Sequence, residues 1–274
     1  MAHILMVGLG QLASPLSKQW LQQGHQVTAI RRRQQAPAGV QLLAQDLLHA
    51  SNVQLPSTPV DLVYIILTPA ERSEQAYRDA FLTVPERVLT PLAKQQQLPP
   101  VIFVSSTAVY GDGEDAVDED SPTQPSAFNG HVLLEAEEQV RRLAPSTVVR
   151  FSGIYGPTRQ GRVALAKRLL QHQAEVPKAR WSSRIHSDDV VGLLLHLGQR
   201  WLANDAPPAV VVGTDEEPVV NLALLNWLAV QQGGKLMLTW KQVAGRPVHS
   251  RYLAAGHYKL QYPTFREGYA SAAP

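Results

Sequence analysis

The apolar positions of the chain form short runs that alternate with longer amphipathic stretches. Val and Ile dominate the runs, which lack polar alternation and are typical of strands buried on both faces of a parallel sheet. The runs read HILMVG, HQVTAI, VDLVYIIL, VIFVSS, STVVRF and PAVVVG. Their repeated alternation with helical stretches predicts an α/β fold with a doubly wound parallel sheet.

The stretches between these runs show helical periodicity. SPLSKQWLQQG places Leu16, Trp20 and Leu21 on one stripe, and Gly24 follows where a helix would end. Similar stripes occur in AYRDAFLTVPERVLTPLAKQQ and HVLLEAEEQVRRL, while SDDVVGLLLHLGQRWL opens with residues that favour a helix N-cap. The segment GDGEDAVDEDSPTQPSA is acidic, poor in apolar residues and contains proline, which predicts a surface loop.

The first strand runs directly into a Gly-x-Gly-x-x-Ala turn, in the stretch ILMVGLGQLAS. After a strand, Gly8 permits a tight turn, Gly10 lets the backbone approach a pyrophosphate, and Ala13 allows close packing of helix on strand. The phosphates of a dinucleotide would then meet free N–H groups at the positive end of the following helix. We therefore predict a phosphate cradle of Gly8, Gly10, Gln11 and Leu12; the alternative is a strand–turn–helix with incidental glycines.

The residues after the second strand indicate which dinucleotide fits. NAD sites often carry an acidic residue there, about 20 residues past the turn, for the ribose hydroxyls. This chain instead has Arg31, Arg32 and Arg33. Guanidinium groups suit a 2′-phosphate and stack on adenine, so we predict binding of NADP or NAD with NADP preferred, the alternative being a solvated basic loop. Asp46 is placed to accept from the adenine amino group, or equally to cap the helix that follows.

Composition narrows the class of protein. Apolar residues make up 45% of the 274 residues, enough for a sizeable core, and the net charge of +2 argues against a nucleic acid partner. There is no cysteine, so disulfides, thiolate metal sites and a cysteine nucleophile are excluded. The nine histidines show no metal-ligand spacing, so we predict no metal. No stretch approaches the ~18 apolar residues of a membrane span and the start lacks a secretion signal, which predicts a soluble cytoplasmic protein.

Four motifs in order along the chain carry a family resemblance: the glycine turn, VSSTAVYGD, VRFSGIYGP and RIHSDDVV. With them, the chain resembles the extended short-chain dehydrogenase/reductase family, the NAD-dependent epimerase/dehydratase group, from residue 4 to about residue 269. The stretch YPTFREGY resembles the tail of a divergent, atypical subgroup. The resemblance implies a Rossmann fold that binds NAD or NADP and a small-molecule substrate, and it allows a homodimer.

The resemblance also implies how the chain is divided and what it does. Residues 1–156 would form the NAD(P)-binding Rossmann domain. Residues 157–274, where the strand–helix rhythm loosens, would complete the sheet and the substrate cleft as a small C-terminal substrate-binding region. The implied function is that of an NAD(P)-dependent oxidoreductase or epimerase/dehydratase acting on a sugar-like or small polar carbonyl or hydroxyl substrate.

By the same resemblance, VIFVSSTAVYG ends a central strand and presents a hydroxyl to the reacting carbon. The active Ser or Thr of the family lies four residues before the Tyr of VYG, which here gives Ser106, with Thr107 beside it. The alternative is a hydroxyl run that only ends the strand. Tyr110 matches the VYG tyrosine, which is not the catalytic one. The remaining candidate cofactor contacts lie at the ends of central strands: Leu67, Thr68, Ser105, Phe151 and Ser152.

The segment SSRIHSDD matches the part of the family that lines the substrate cleft. The resemblance implies that His186 is structural and that Asp189 caps the next helix. Family members often carry an Arg a few residues before this His to hold a substrate phosphate. Here Ser182 stands at that position, between Arg180 and Arg184, which weakens the case for a nucleotide-sugar substrate.

The Tyr and Lys pair of a working family member is missing. Members need the two residues four apart on a helix, about 25 residues past the active Ser, because the Lys cation lowers the pKa of the Tyr. SPTQPSAFNGHVLLEAEEQVRRL contains neither, and the formal match is Phe128 with Val132. Three interpretations remain: an enzyme that uses another acid such as His131, a non-catalytic NADP-binding regulator or sensor, or hydride transfer that relies on Ser106 and the substrate alone. For His131, the interpretation that we favour is an exposed polar residue at a helix start.

Overall fold

The centre of the fold is a seven-stranded sheet in the computed structural model, which describes residues 1–270. The strands in chain order are β1 (His3–Val7), β2 (Gln26–Arg31), β3 (Gln41–Ala44), β4 (Leu62–Ile65), β5 (Val101–Ser106), β6 (Ser146–Phe151), β7 (Gly153–Tyr155), β8 (Trp181–Ser182), β9 (Arg184–His186), β10 (Val210–Gly213) and β11 (Val219–Val220). The sheet has the order β10-β6-β5-β4-β1-β2-β3, and β1–β2, β1–β4, β2–β3 and β4–β5 pair in parallel. The chain direction along the sheet reverses between β1 and β4, as in doubly wound dinucleotide-binding sheets, so the predicted fold class is confirmed.

The burial of the strands follows the hydrophobic runs. Every residue of β1 and β4 is buried, as expected for strands covered on both faces. The runs did not include β3, because it lies at the edge of the sheet and only its two central leucines are half-buried. A short edge strand of this kind leaves too few apolar positions for a periodicity to be recognised.

Each of the four amphipathic stretches contains a helix, and further helices lie outside these stretches. They are α1 (Ala13–Gln22), α2 (Glu74–Arg78), α3 (Val84–Gln95), α4 (Phe128–Leu143), α5 (Gly161–Leu170), α6 (Ser187–Leu202), α7 (Asn221–Gln231), α8 (Arg251–Ala254) and α9 (Phe265–Ala270). A π-helical segment, Asp79–Thr83, joins α2 to α3, and a 3₁₀ turn, Thr107–Tyr110, follows β5. Within the described part of the chain, we find no helix with the length and apolarity needed to cross a bilayer.

Packing divides the chain into two compact units that interleave along the sequence. Unit 1 comprises Met1–Val109, Pro125–Arg150 and Val190–Val211, and unit 2 comprises Tyr110–Gln124, Phe151–Asp189 and the described part of Val212–Pro274. The predicted division at residue 156 stays a prediction, because packing alone does not show which parts fold independently. The last four residues of the predicted C-terminal part, 271–274, lie outside the described residues.

Unit 2 contains two small sheets and its own apolar core. β7 pairs in parallel with β9, and β8 pairs with β11 in the antiparallel direction. The core of this unit joins α5, α7 and α9 through buried side chains that include Leu169, Leu225 and Phe265.

The acidic segment predicted as a surface loop is in part buried within unit 2, so that prediction is wrong there. Val117 is 3% exposed and forms a parallel β-bridge with Val248. Oε1 of Glu119 accepts hydrogen bonds from the backbone N–H of Val212 and from Ser250 Oγ, each at 3.0 Å. A carboxylate placed to satisfy backbone donors explains why an acidic residue is tolerated in this position.

Candidate functional site

A cavity of about 400 Å³ opens in unit 1 at the carboxyl ends of β1, β2 and β4. Ligand pockets commonly have this size, and open α/β sheets bind ligands where the strand order reverses. Seven of the predicted cofactor contacts line the cavity together: Gly8, Gly10, Arg31, Arg32, Asp46, Leu67 and Thr68. The structure therefore brings together residues from four separate segments that the sequence had linked only by motif.

The two glycines of the turn serve different purposes. Gly8 has a left-handed φ of +93°, and a Cβ there would lie 2.3 Å from the carbonyl oxygen of Ile66. No atom lies within 4 Å of the position that a Cβ on Gly10 would take. Gly8 is thus required by the backbone itself, whereas a side chain at Gly10 would project into the open cavity. This arrangement fits a group that approaches the main chain closely, as a pyrophosphate does.

The start of α1 supplies hydrogen-bond donors beside this turn. The first backbone hydrogen bond of the turn runs from the N–H of Ser14 to the carbonyl oxygen of Gly10, at 3.0 Å. The N–H groups of Gln11 and Leu12 precede it and have no acceptor within a helix. The side chain of Gln11 is exposed and that of Leu12 is buried, so these two predicted residues would act through the backbone. The positive end of the helix dipole favours an anion here.

The three arginines after β2 differ in their availability. Nη1 of Arg31 donates to the carbonyl oxygen of Gln35 at 3.0 Å, which ties this side chain to its own loop. Arg32 and Arg33 are exposed at the cavity and form no hydrogen bond or salt bridge in the part of the chain that the structure describes, although the charge of Arg32 acts on Asp46. Two free guanidinium groups at one end of the cavity suit a phosphate.

Asp46 belongs to a braced turn at the wall of the cavity. One oxygen of its carboxylate accepts the N–H of Leu48 at 3.0 Å and the other contacts Nδ1 of His49 at 3.1 Å. The hydrogen bond to His49 is the main reason that the pKa of Asp46 lies below its usual range. Arg87 on α3 donates to the carbonyl oxygens of Leu48 and Ala50 and so fixes the same turn. This role of Arg87 could not be predicted from the sequence, because the two segments are 37 and 39 residues apart along the chain.

The helical run from α2 to α3 forms another part of the cavity lining. Ala76, Asp79, Ala80 and Val84 line the cavity from this side. Asp79 and Ala80 belong to the π-helical segment, a feature that often marks functional sites. Sequence reasoning missed these residues, since an inserted residue in a helix shifts which side chains share a face without changing the composition.

Ser105, a predicted cofactor contact, is part of a buried ion cluster. Its Oγ donates to Oε1 of Glu137 at 2.6 Å, and Glu137 is fully buried. Nη2 of Arg150 and Nη2 of Arg141 donate to the other carboxylate oxygen at 2.6 and 2.9 Å. The cations and the hydroxyl satisfy a carboxylate that would otherwise be costly to bury. Ser105 does not line the cavity, and its role as a cofactor contact stays a prediction.

Ser106 ends β5 and remains the candidate catalytic residue. It is half-buried, and its Oγ accepts the backbone N–H of Ala108 at 3.2 Å. On α4, Phe128 packs edge-on against Tyr77, with ring centroids 5.4 Å apart, and Val132 is buried. His131 is exposed in the first turn of α4. The catalytic role of Ser106 stays a prediction, since its hydroxyl is available as a hydrogen-bond donor but no substrate contact is recorded.

Comparison with known proteins decides the family. The sequence profile of the NAD dependent epimerase/dehydratase family matches residues 4–213. The chain belongs to this family. YeeZ from Escherichia coli strain K12 is 30% identical over 210 residues, which cover 73% of this chain and 74% of YeeZ.

Solved structures share the fold along almost the whole chain. A Methylobacillus flagellatus protein, named provisionally as an NAD-dependent epimerase/dehydratase, is 30% identical with a TM-score of 0.82 and covers 99% of this chain and 97% of its own. UDP-glucuronic acid 4-epimerase from Bacillus cereus, solved in complex with NAD, is 19% identical with a TM-score of 0.71 and covers 97% of this chain and 95% of its own. The second likeness concerns the fold alone.

Two further predicted cofactor contacts lie in unit 2. Phe151 is buried, and a Cβ on Gly213 would lie 2.3 Å from its ring. Ser152 is also buried, and its Oγ donates to Oγ1 of Thr214 at 3.1 Å. Both residues are held by the packing of their own unit. Their contact with a cofactor of this family stays a prediction.

The segment RIHSDD is organised differently from the prediction for Asp189. Its carboxylate accepts the backbone N–H groups of Gln261 and Tyr262, at 2.6 and 3.0 Å, and so holds the tail of unit 2. The prediction that Asp189 caps α6 is therefore wrong for its carboxylate, which binds the tail instead. His186 is buried, and its Nδ1 accepts the N–H of Asp188 at 3.3 Å, a structural contact of the kind that the family resemblance implies.

Four side chains of unit 2 form what we call the polar cluster: Arg184 on β9, Tyr155 on β7, Tyr269 on α9 and Asp215 after β10. The rings of Tyr155 and Tyr269 stack with centroids 4.5 Å apart. Nη2 of Arg184 donates to Ser182 Oγ at 2.6 Å. The sequence singled out the stretch that ends in Tyr269 only as a resemblance, and it did not point to Asp215, because nothing in the local patterns shows that such distant segments meet.

Burial controls the ionisation of the polar cluster. It raises the pKa of Asp215 to about 8, against the lowering effects of the backbone N–H of Glu217 and of the Arg184 cation. The Glu217 N–H is near enough to affect this pKa but does not form a hydrogen bond of normal geometry. Neither carboxylate oxygen of Asp215 has such a partner among the described residues. Burial also raises the pKa of Tyr269 and lowers that of Arg184. Burial therefore favours the neutral form of the Asp215 carboxyl.

We expect Asp215 to make the protein less stable as the pH rises. The pKa of Asp215 is about 8 in the folded protein, against an ordinary value of 3.8. Its contribution to the free energy of unfolding is therefore fully present below pH 3.8 and is lost as the pH rises toward 8. The difference in free energy of unfolding between wild type and Asp215→Asn should change by up to about 1.4 kcal/mol per pH unit in this window. Urea denaturation across the pH range measures it. Asp188→Asn, at an exposed carboxylate of the same unit, is the control. Equal slopes for wild type and Asp215→Asn would contradict the assignment.

Proposed function

We propose that the protein is an NAD(P)-dependent oxidoreductase or epimerase/dehydratase of its family, acting on a sugar-like or small polar carbonyl or hydroxyl substrate. The observation that carries this proposal is the cavity at the glycine turn, where Gly10 faces open space and the start of α1 offers free N–H groups. The names of related folds support it, because UDP-glucuronic acid 4-epimerase from Bacillus cereus was solved with NAD.

NADP is the cofactor form that we favour. The exposed side chains of Arg32 and Arg33 line the end of the cavity nearest to β2, where the adenosine ribose of a dinucleotide would lie. Two exposed cations that form no salt bridge with any described carboxylate favour the 2′-phosphate of NADP over the bare hydroxyl of NAD. Asp46, whose low pKa keeps it ionised, would accept from the adenine amino group.

The residues of this chain then have distinct tasks in the proposed reaction. The cofactor, when bound, supplies an acceptor or donor of hydride. The backbone at Gly10 and the N-terminus of α1 hold its diphosphate, and Arg32 and Arg33 fix its orientation from the other end. Ser106 donates a hydrogen bond to the substrate oxygen that gains or loses a proton.

A second function is supported by one observation. The helix α4 carries Phe128 and the buried Val132 where a working member would carry Tyr and Lys, and neither can exchange a proton. This favours a non-catalytic protein that binds NADP and acts as a regulator or sensor. Both functions require the same cofactor cavity, so cofactor binding tests what they share and turnover separates them.

Gly10→Val should weaken NADPH binding by at least about tenfold without unfolding the protein, because the new side chain would occupy open space where the diphosphate is expected. Calorimetry measures the affinity, and thermal denaturation verifies the fold. Gly161→Val is the matched control, since this glycine also has no atom within 4 Å of its Cβ position. Unchanged affinity in Gly10→Val would contradict the cradle.

The double variant Arg32→Ala with Arg33→Ala should lower NADPH affinity by about 10- to 100-fold and leave NADH affinity nearly unchanged, because only NADPH carries the 2′-phosphate. Titration of both cofactors at two salt concentrations measures this. Arg142→Ala, an exposed arginine on α4, controls for the loss of surface charge. Tighter binding of NADH than of NADPH by the wild type would remove the NADP preference.

Ser106→Ala should reduce turnover by about 10²- to 10⁴-fold while leaving NADPH affinity unchanged, because the hydroxyl acts on the substrate and not on the cofactor. A panel of nucleotide sugars, aldehydes and ketones is followed by nicotinamide absorbance and by product analysis. Thr107→Ala is the neighbouring control. Turnover that survives Ser106→Ala would refute the catalytic role, and tight NADPH binding with no turnover on any substrate would support the sensor.

A further inference from the structure

A second cavity, of about 460 Å³, lies wholly within unit 1. Its lining comes from the segments that lead into β4, β5 and β6 and from the end of α6. The cofactor cavity lies at the carboxyl ends of the strands, whereas these segments meet at the amino ends, and the two cavities share no lining residue. The volume is in the range of pockets that hold small molecules.

Proline rings form the middle of this second cavity. Pro100 precedes β5 and Pro145 precedes β6, and neither residue has a backbone N–H to donate. Their carbonyl oxygens already accept hydrogen bonds within the sheet, from the N–H of Val63 at 3.0 Å and from the N–H of Val101 at 2.9 Å. The middle of the cavity therefore presents mainly the apolar surface of the two rings.

The two ends of the cavity differ in their chemistry. Asp61 precedes β4 at one end, and Trp201 lies near the end of α6 at the other. Nε1 of Trp201 donates to Oγ1 of Thr147 on β6 at 3.0 Å, which holds the indole beside that strand. Only β5 separates β4 from β6 in the sheet, and neighbouring strands lie about 4.8 Å apart, so the two ends are about 10 Å from each other.

The charge of the lining indicates the kind of ligand. Among the described residues, Asp61 is the one charged side chain that lines the cavity. It is exposed, and its Oδ2 accepts the backbone N–H of His3 at 2.7 Å. It forms no salt bridge in the part of the chain that the structure describes, although its charge acts on His25. A lining with one carboxylate and no cation complements a ligand of positive charge.

We propose that this cavity binds a small aromatic amine in its ammonium form. The ammonium group contacts the carboxylate of Asp61, and the aromatic ring packs on the indole of Trp201. The carbon chain between them lies on the rings of Pro100 and Pro145. A separation of about 10 Å between the two ends suits a ring joined to its nitrogen by a short carbon chain. The site does not depend on the proposed function, because it uses no residue of the cofactor cavity.

The test is a titration of the ¹⁵N-labelled full-length protein with 2-phenylethylammonium chloride, followed through the indole N–H signals of its five tryptophans. The signal of Trp201 is assigned by its loss in Trp201→Phe or, should that variant not fold, by the proximity of this N–H to Thr147. We expect this signal to shift in a saturable way, because an aromatic ring packed on the indole changes its magnetic environment.

Trp240, an exposed tryptophan of unit 2, is the internal control for nonspecific contact with aromatic rings. Its indole signal should stay in place over the range of concentrations in which the signal of Trp201 saturates. A Trp201 signal that never saturates, or equal shifts of the two signals, would overturn the proposal.

Two further molecules of similar shape test the role of charge. 2-Phenylethanol is neutral, and phenylacetate carries a negative charge. The ammonium compound should bind about three- to tenfold more tightly than the alcohol, since an ion pair at an exposed carboxylate contributes modestly, and phenylacetate should bind more weakly than both. Equal affinities for the ammonium compound and the alcohol would refute the choice of a cation.

Asp61→Asn should lower the affinity for 2-phenylethylammonium to about that for the alcohol and leave the affinity for the alcohol unchanged. The amide keeps an oxygen that can accept the N–H of His3 but has no charge. Glu138→Gln, at an exposed carboxylate of unit 1 outside the lining, is the matched control and should change neither affinity.

Ammonium binding that is as tight in Asp61→Asn as in the wild type would show that the carboxylate is not the partner, and the proposal would fall. NADPH affinity should be the same in Asp61→Asn and in the wild type. This measurement keeps a failure of the second cavity distinguishable from a failure of the cofactor cavity.

Discussion

The arrangement of unit 1 depends on one close approach, that of Gly8 to the carbonyl oxygen of Ile66. The two segments meet so closely that a Cβ on Gly8 would lie 2.3 Å from that oxygen, and the backbone of Gly8 adopts a left-handed φ of +93°. This contact sets the turn between β1 and α1, and therefore the direction in which the N-terminal N–H groups of α1 point. The neighbouring Gly10 is free of such contacts, so the same turn is rigid at one residue and open at the next.

Backbone requirements of this kind are what the sequence could reveal. A buried apolar run, a glycine where no side chain fits and a helix that begins after it are local, and each restricts few residue types. Contacts between distant segments leave no such mark. Arg87 braces the turn that carries Asp46, and it does so through carbonyl oxygens, which every residue has. Asp215 and Tyr269 meet Arg184 from elements whose local patterns are unremarkable for an α/β protein.

The candidate catalytic region retains the buried contacts that support Ser106 but lacks the Tyr and Lys that would transfer a proton. Ser105 donates a hydrogen bond to Glu137, and Arg150 neutralises that carboxylate inside the core. These contacts hold the end of β5, where Ser106 is the last residue. A buried carboxylate that lost its cation would be costly, which makes this cluster hard to change. The Phe128 and Val132 positions on α4, by contrast, are apolar and contribute to packing. Different residues therefore maintain the fold of the family and its proton transfer, and the fold can persist without the residues for proton transfer.

The residues that indicate function are of different kinds in the two units. In unit 1, the cavity is lined by the glycine turn and by arginines at the surface, so its ligand can be inferred from shape and charge at a motif. In unit 2, the informative atoms are buried side-chain groups that the fold does not bond, and their meaning comes from counting donors and acceptors. Arg184 and Asp215 are both buried and their charges act on each other, so the ionisation of either group is a property of the pair and not of one residue.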